Sequence, residues 1–180
     1  IARISQGLPH VTHLVGLNAV RAAAGRLSRK VTTNDVKKAF EQALKEVDHT
    51  VATSYKKATH SAQSAALYDK VLLAAAIAAY VHGDEWGYFQ AVHLVEAMRL
   101  ILNKEVEIST FNRHLSEFLV QKRGEILQRS GSSRAYRYRF TVPLMPPYIV
   151  MKGIAGDLIS AEQLERLIAN SEGEHAQPAA

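Results

Sequence analysis

The residues of this sequence best suited to chemistry are cations. Between Ser109 and Thr141 stand Arg113, Lys122, Arg123, Arg129, Arg134, Arg137 and Arg139 against only Glu117 and Glu125, an excess of +5 that equals the formal net charge of all 180 residues. A guanidinium is permanently charged and offers a planar fork of donors, which fits phosphate oxygens or the edge of guanine. Tyr136, Tyr138 and Phe140 alternate with Arg137 and Arg139 at period two, so a strand here has one aromatic face and one cationic face. Duplex DNA is the partner such a cluster suits. The same arginines also read as a solvated face, because a basic patch is an electrostatic footprint and no more.

Other chemistry is sparse. The histidines at 10, 13, 49, 60, 82, 93, 114 and 175 form no nucleophile-base arrangement that spacing reveals. His10 and His13 stand at i, i+3, but with no carboxylate or third histidine beside them they read as ordinary helix residues, so no metal is expected. The absence of cysteine excludes disulfides and the usual zinc sites, and fits a cytoplasmic location. No G-x-x-x-x-G-K-[ST] loop is present to hold a triphosphate and magnesium, so the chain is not expected to act as an enzyme, or to carry a cofactor, by itself. The most apolar run, Val71 to Val81, has 11 residues, too few to cross a bilayer, and reads as a buried helix. With no signal peptide and a start at Ile1, the sequence reads as the C-terminal piece of something longer.

The elements that must position the cations follow from periodicity. Phe111, Leu115, Phe118 and Leu119 make one helical stripe, which leaves Arg113 on the opposite face with Asn112 and Ser116 nearby. Glu125–Arg129 and Ala135–Thr141 then flank a Ser-Gly-Ser-Ser-Arg loop as a hairpin. Upstream, Pro9 opens a helix over about 8–27. Thr32 and Asp35 form a capping-box pair for a helix to about Val47, and Val51, Tyr55 and Ala58 hint at a short one. Leu67–Val81 is apolar on nearly every face, and Ala91 to Leu102 is amphipathic. Three helices followed by a hairpin is the order of a winged helix-turn-helix. After the wing, three prolines stop any strand, Tyr148–Ile154 suggests a short helix, and Ser160–Asn170 a last one capped by Ser160. Ile1–Gln6 read as the end of an earlier helix, and Ser171–Ala180 as a disordered tail.

Two stretches resemble a known family. Ile4-Ser5-Gln6-Gly7-Leu8-Pro9-His10, with Thr12-His13-Leu14, Gly16-Leu17, Val31-Thr32 and Asp35-Val36, is similar to the lid subdomain of AAA+ ATPases. Tyr136 to Phe140, with Pro143-Leu144 and Pro147-Tyr148, resembles the winged-helix end of prokaryotic ATPases similar to the origin-recognition initiators. The likeness covers the chain to about Ile168 and implies a mainly α fold: a helical lid over 1–60, a winged helix with a small β-hairpin over 61–158, a C-terminal helix over 159–170 and the tail over 171–180.

The resemblance implies further that a missing N-terminal domain binds ATP and magnesium, and that this domain mediates any homo-oligomer. In such lids a sensor arginine follows Gly and two residues at the start of a helix. Here Gly7, Leu8 and Pro9 lead to His10, which lacks the arginine's permanent charge and fork. His10 reads equally as a residue that packs or caps locally. The expected function is therefore double-stranded DNA binding by Asn112, Arg113, Ser116, Lys122, Arg123, Arg134, Arg137 and Arg139. The alternative is a module that docks a protein partner or neighbouring ATPase subunit, with Trp86 and Tyr88 as anchors. A membrane partner is not expected.

Overall fold

The computed structural model describes residues 5, 7–62, 66–133 and 135–175. Most of the helix end expected at 1–6, Arg134 of the expected wing loop and the last five residues of the expected tail lie outside them. The architecture is mainly helical, with one small three-stranded antiparallel sheet.

Helix α1 (Pro9–Gly25) begins on Pro9, whose missing N–H costs nothing in a first turn. Helix α2 (Thr33–Glu46) starts at a complete capping box: Thr32 Oγ1 accepts from the Asp35 amide, and Asp35 Oδ2 accepts from the Thr32 amide at 2.8 Å. Asp35 is fully buried and gains a second anchor across the α1–α2 corner, where Arg26 Nε donates to its Oδ1 at 2.9 Å. The Arg26 guanidinium, followed by the Thr32 amide, holds its carboxyl well below the usual aspartate range. Helix α3 (His49–Thr59) buries the three residues its pattern offers, Val51, Tyr55 and Ala58.

Helix α4 (Tyr68–His82) buries every residue from Val71 to Ala78 and is the central helix of the second half of the chain. Strand β1 (Phe89–Gln90), a 3-10 turn (Ala91–His93) and helix α5 (Leu94–Leu102) follow. Helix α6 (Ile108–Glu117) buries Phe111 and Leu115, and Phe118 at its C-terminus is buried too. A second 3-10 turn (Gln121–Arg123) and Gly124, at φ +86°, redirect the chain into strands β2 (Leu127–Ser130) and β3 (Arg137–Phe140). Strand β3 lies centrally, paired antiparallel to β1 through Phe89 and Tyr138 and to β2 through Leu127 and Phe140.

Two expectations about the C-terminal region are corrected. The three prolines do end the strand, but Pro146 and Pro147 also open a longer helix, α7 (Met145–Ala155), because a first turn has no use for their amides. The last helix, α8 (Ala161–His175), runs past Asn170: Ser171 is buried and its hydroxyl donates to the Ile168 carbonyl at 2.8 Å, so the chain is helical where a tail was expected. The N-cap role of Ser160 holds, with the Gln163 amide bonded to its Oγ at 3.1 Å.

Helix α7 is apolar apart from the exposed Lys152 and is buried from Met145 to Met151. It packs on α2 and α3 with one side and on α4 with another, with Tyr148 edge-on to Tyr55 at 5.6 Å between centroids. One hydrophobic cluster therefore runs from Val11 of α1 through α7 to Phe140 of the sheet, crossing the boundary expected near residue 60. Since each large apolar side chain contributes about 1.5–3 kcal/mol on burial, α7 is a substantial share of what fastens the first three helices to the rest.

Candidate nucleic-acid interface

Helix α6 turns its polar face outward as its stripe requires. Asn112, Arg113 and Ser116 are exposed, and the Arg113 side chain is 87% accessible. Arg113 is nevertheless aimed: its Nε donates to Glu117 Oε1 at 3.0 Å, one turn on, which leaves its Nη atoms without a partner among the described residues. Glu117 is less exposed than Arg113 and Ser116 on the same face, and Tyr68 of α4 donates to its other oxygen at 2.5 Å. The Tyr68 hydroxyl foremost, and then Arg113, hold the Glu117 carboxyl below its ordinary value, and Tyr68 is pushed up in return. The carboxylate on this face is thus tied down by donors of the chain itself.

The sheet carries its cations as the period-two pattern requires. Tyr138 and Phe140 point into the core while Arg137 and Arg139 share the other face with Gln90 and Gln128, their cross-strand partners. Tyr88, just before β1, lies under both arginines, with guanidinium carbons 5.2 Å and 4.8 Å from its ring centroid. Arg137 Nη1 also reaches Asp84 Oδ2 at 3.2 Å, and Arg139 donates to the side-chain oxygen of Gln128. Arg129 sits over the Tyr136 ring at 4.0 Å. The turn that follows β2 needs its glycine: Gly131 has φ +90°, and a Cβ there would meet the Ala135 carbonyl oxygen at 2.5 Å.

Arg123 and Lys122 differ from each other. Lys122 is exposed, whereas the Arg123 side chain is only 15% accessible. Its Nη1 donates to the carbonyls of Ala58, at 3.3 Å, and His60, its Nε lies 3.4 Å from Glu117, and its guanidinium stacks on Tyr68. Arg123 closes the C-terminal end of α3 and so serves the fold with most of its donors. The sequence signal counts its charge but not these commitments, because its partners lie on α3 and α4.

The sensor-like segment lies at the start of α1. Gly7 adopts φ +73°, Pro9 opens the helix, and His10 is exposed in the first turn. Leu8 between them lines a cavity of about 490 Å³ with Trp86, Arg139, Pro143 and Pro146, so this segment faces the end of strand β3. Trp86 is 67% exposed, its indole N–H bonded to Glu85 at 3.0 Å. Among the described residues no cluster of three or more His, Asp or Glu side chains forms a metal site, and no helix is long and apolar enough to cross a membrane.

Tyr68 and Tyr88 are the residues that sequence reasoning passes over as supports of the arginines, whereas Glu117 is placed by its helical position on the outward face beside Arg113 but not recognised as an anchor. Each of the three orients an arginine, and only the Arg113–Glu117 pair, at i, i+4 on one helix, carries a local signal. No protein-family model, curated protein or solved structure matches this chain.

Proposed function

We propose that residues from α4 to β3 form a winged helix-turn-helix that binds double-stranded DNA, with α6 in the major groove and the β2–β3 hairpin on the flanking backbone. The observation that carries this reading is the pairing of connectivity with charge: three helices and a hairpin whose central strand, β3, presents Arg137 and Arg139 outward, beside a helix presenting Asn112, Arg113 and Ser116. A helix fits the major groove, and arginine forks fit guanine edges and phosphates. Because Tyr88, Gln128 and Glu117 hold the guanidiniums in place, less side-chain freedom is lost on binding.

We read the first three helices as an AAA+ lid, with Gly7, Pro9 and His10 at the sensor-like position, and assign ATP, magnesium and any ring assembly to a domain of the parent protein outside this sequence. A second reading, docking of a protein partner or neighbouring ATPase subunit, is favoured by exposed apolar side chains on α1 and just after it, Leu17, Val20 and Leu27.

Fluorescence anisotropy with a labelled duplex at about 50 and 200 mM salt separates the two, since several phosphate contacts lower affinity by orders of magnitude over that range. The DNA reading expects that drop, and loss of binding when Arg137 and Arg139 are both changed to alanine. A folded protein that ignores the duplex at low salt removes the DNA reading and leaves the docking one.

A further inference from the structure

A second basic feature adjoins the outward face of α6 on the side of α3. Between α3 and the 3-10 turn after α6 opens a cleft of about 700 Å³, lined by Thr53, Lys56, Lys57 and His60 on one side and by Lys122 and Arg123 on the other. Among the described residues no carboxylate lines it, and Lys56, Lys57 and Lys122 enter no ion pair. Three exposed ammonium groups around a concavity repel one another unless an anion sits among them.

The ordinary reason for lysines in a helix's last turn is to offset the negative end of its dipole. At α3 that role is taken by Arg123, which donates to the Ala58 and His60 carbonyls. Lys56 and Lys57 are therefore surplus to the capping of their own helix. The cleft also joins the outward face of α6, because Glu117 bridges Arg113 on that face and Arg123 on the cleft wall.

We propose that this cleft seats backbone phosphate of the same DNA duplex, extending the contact from the winged helix onto α3. The inference rests on the DNA reading above. Lysine suits the task as a mobile point charge that follows a phosphate without reading sequence.

The test uses the whole chain in three forms: unchanged, with Lys56, Lys57 and Lys122 all changed to glutamine, and with Arg137 and Arg139 both changed to alanine. Glutamine keeps most of the side-chain length, and all three lysines are exposed, so melting temperature serves as the folding control. Every phosphate no longer neutralised lowers the slope of log affinity against log salt by about 0.9, so the cleft variant should fall by roughly two to three units of slope. A cleft variant with the unchanged slope, beside a wing variant that binds weakly, overturns the phosphate seat and spares the DNA reading. The converse pattern keeps the seat and removes the wing. An unchanged chain that binds no duplex overturns both. Amide shifts of residues 53–60 and 122–123 on titration distinguish the source of phosphate: they should move with duplex and stay still in millimolar inorganic phosphate, and the reverse response reassigns the cleft to a free anion and ends the proposal.

Discussion

The guanidinium of Arg123 lies 3.7 Å from the centre of the Tyr68 ring while donating to two carbonyls at the end of α3. It thereby ties α3, the start of α4 and the turn into β2 to one side chain. A partly desolvated cation–π contact is worth about 0.5–2 kcal/mol and hydrogen bonds from a charged donor about 1.5–3, so Arg123→Ala should lower unfolding free energy by about 2–4 kcal/mol. Arg123→Lys should recover less than half, because an ammonium cannot stack flat on the ring and serve both carbonyls. Urea unfolding measures both. An alanine variant within about 0.5 kcal/mol of the unchanged protein, the range of an ordinary surface substitution, means the stack and the cap contribute nothing.

Gly153 faces Leu73 across the α7–α4 contact, where an added Cβ would meet the two Leu73 methyl carbons at 2.7 and 2.8 Å. Alanine is favoured over glycine in a helix by up to about 1 kcal/mol, whereas overpacking a filled core costs about 1–3. Leu73 is buried and has little room to move, so the clash should prevail and Gly153→Ala should be less stable. Adding Leu73→Ala should make the pair less than additive, which a double-mutant cycle on the same unfolding curves reads directly.

How far the fold can be read from sequence follows from where each signal lies. Helix α2 is legible because Thr32 and Asp35 sit three residues apart and bond to each other, a local interaction with a local signature. The α6 stripe and the Tyr138/Phe140 alternation are legible for the same reason, since period alone decides which side is buried. Strand β1 is not, because two residues are too few to show a period and Phe89 becomes a strand residue only by pairing with Tyr138. The prolines of α7 look like breakers in sequence, although at a first turn they are starters. The identities of the candidate site's cations are visible, but their availability is not: Arg113 and Arg123 both contact Glu117, yet one is exposed and the other spent, and only the positions of Tyr68, Ala58 and His60 decide which.

His114 is half-buried on α6 against Tyr68, and its Nδ1 has no hydrogen-bond partner among the described residues. Burial pushes its pKa below the ordinary histidine value, with Arg113 and Arg123 lowering it further against the opposing charge of Glu117. The unfolded chain, with a pKa of about 6.5, then takes up the proton first, so His114 makes the fold less stable as pH falls through that value. Replacing it with phenylalanine removes a polar group left unsatisfied and should raise stability by about 1 kcal/mol at neutral pH. The advantage should widen between about pH 7 and 5, because the variant has no proton to bind there. Thermal melts of both proteins at those two pH values supply the comparison, and an advantage that narrows on acidification contradicts the sign of the shift.

Arg113 and Arg137 should fail differently if α6 reads bases while the wing grips backbone. Among the described residues nothing occupies the Arg113 Nη fork while Glu117 fixes its Nε, a geometry suited to one guanine edge. Once a preferred duplex has been selected, Arg113→Ala should cost about 1–3 kcal/mol of affinity for it, and the loss should vanish on duplexes already altered at one particular base pair. Arg137→Ala should weaken every duplex alike and lower the salt slope by about one unit, since a phosphate is the same at every position. A panel of single-position duplex variants measured with each protein separates the two patterns. If Arg113→Ala also weakens all duplexes equally, α6 contacts backbone, and whatever discrimination the protein has must come from Asn112, Ser116 or the shape of the DNA.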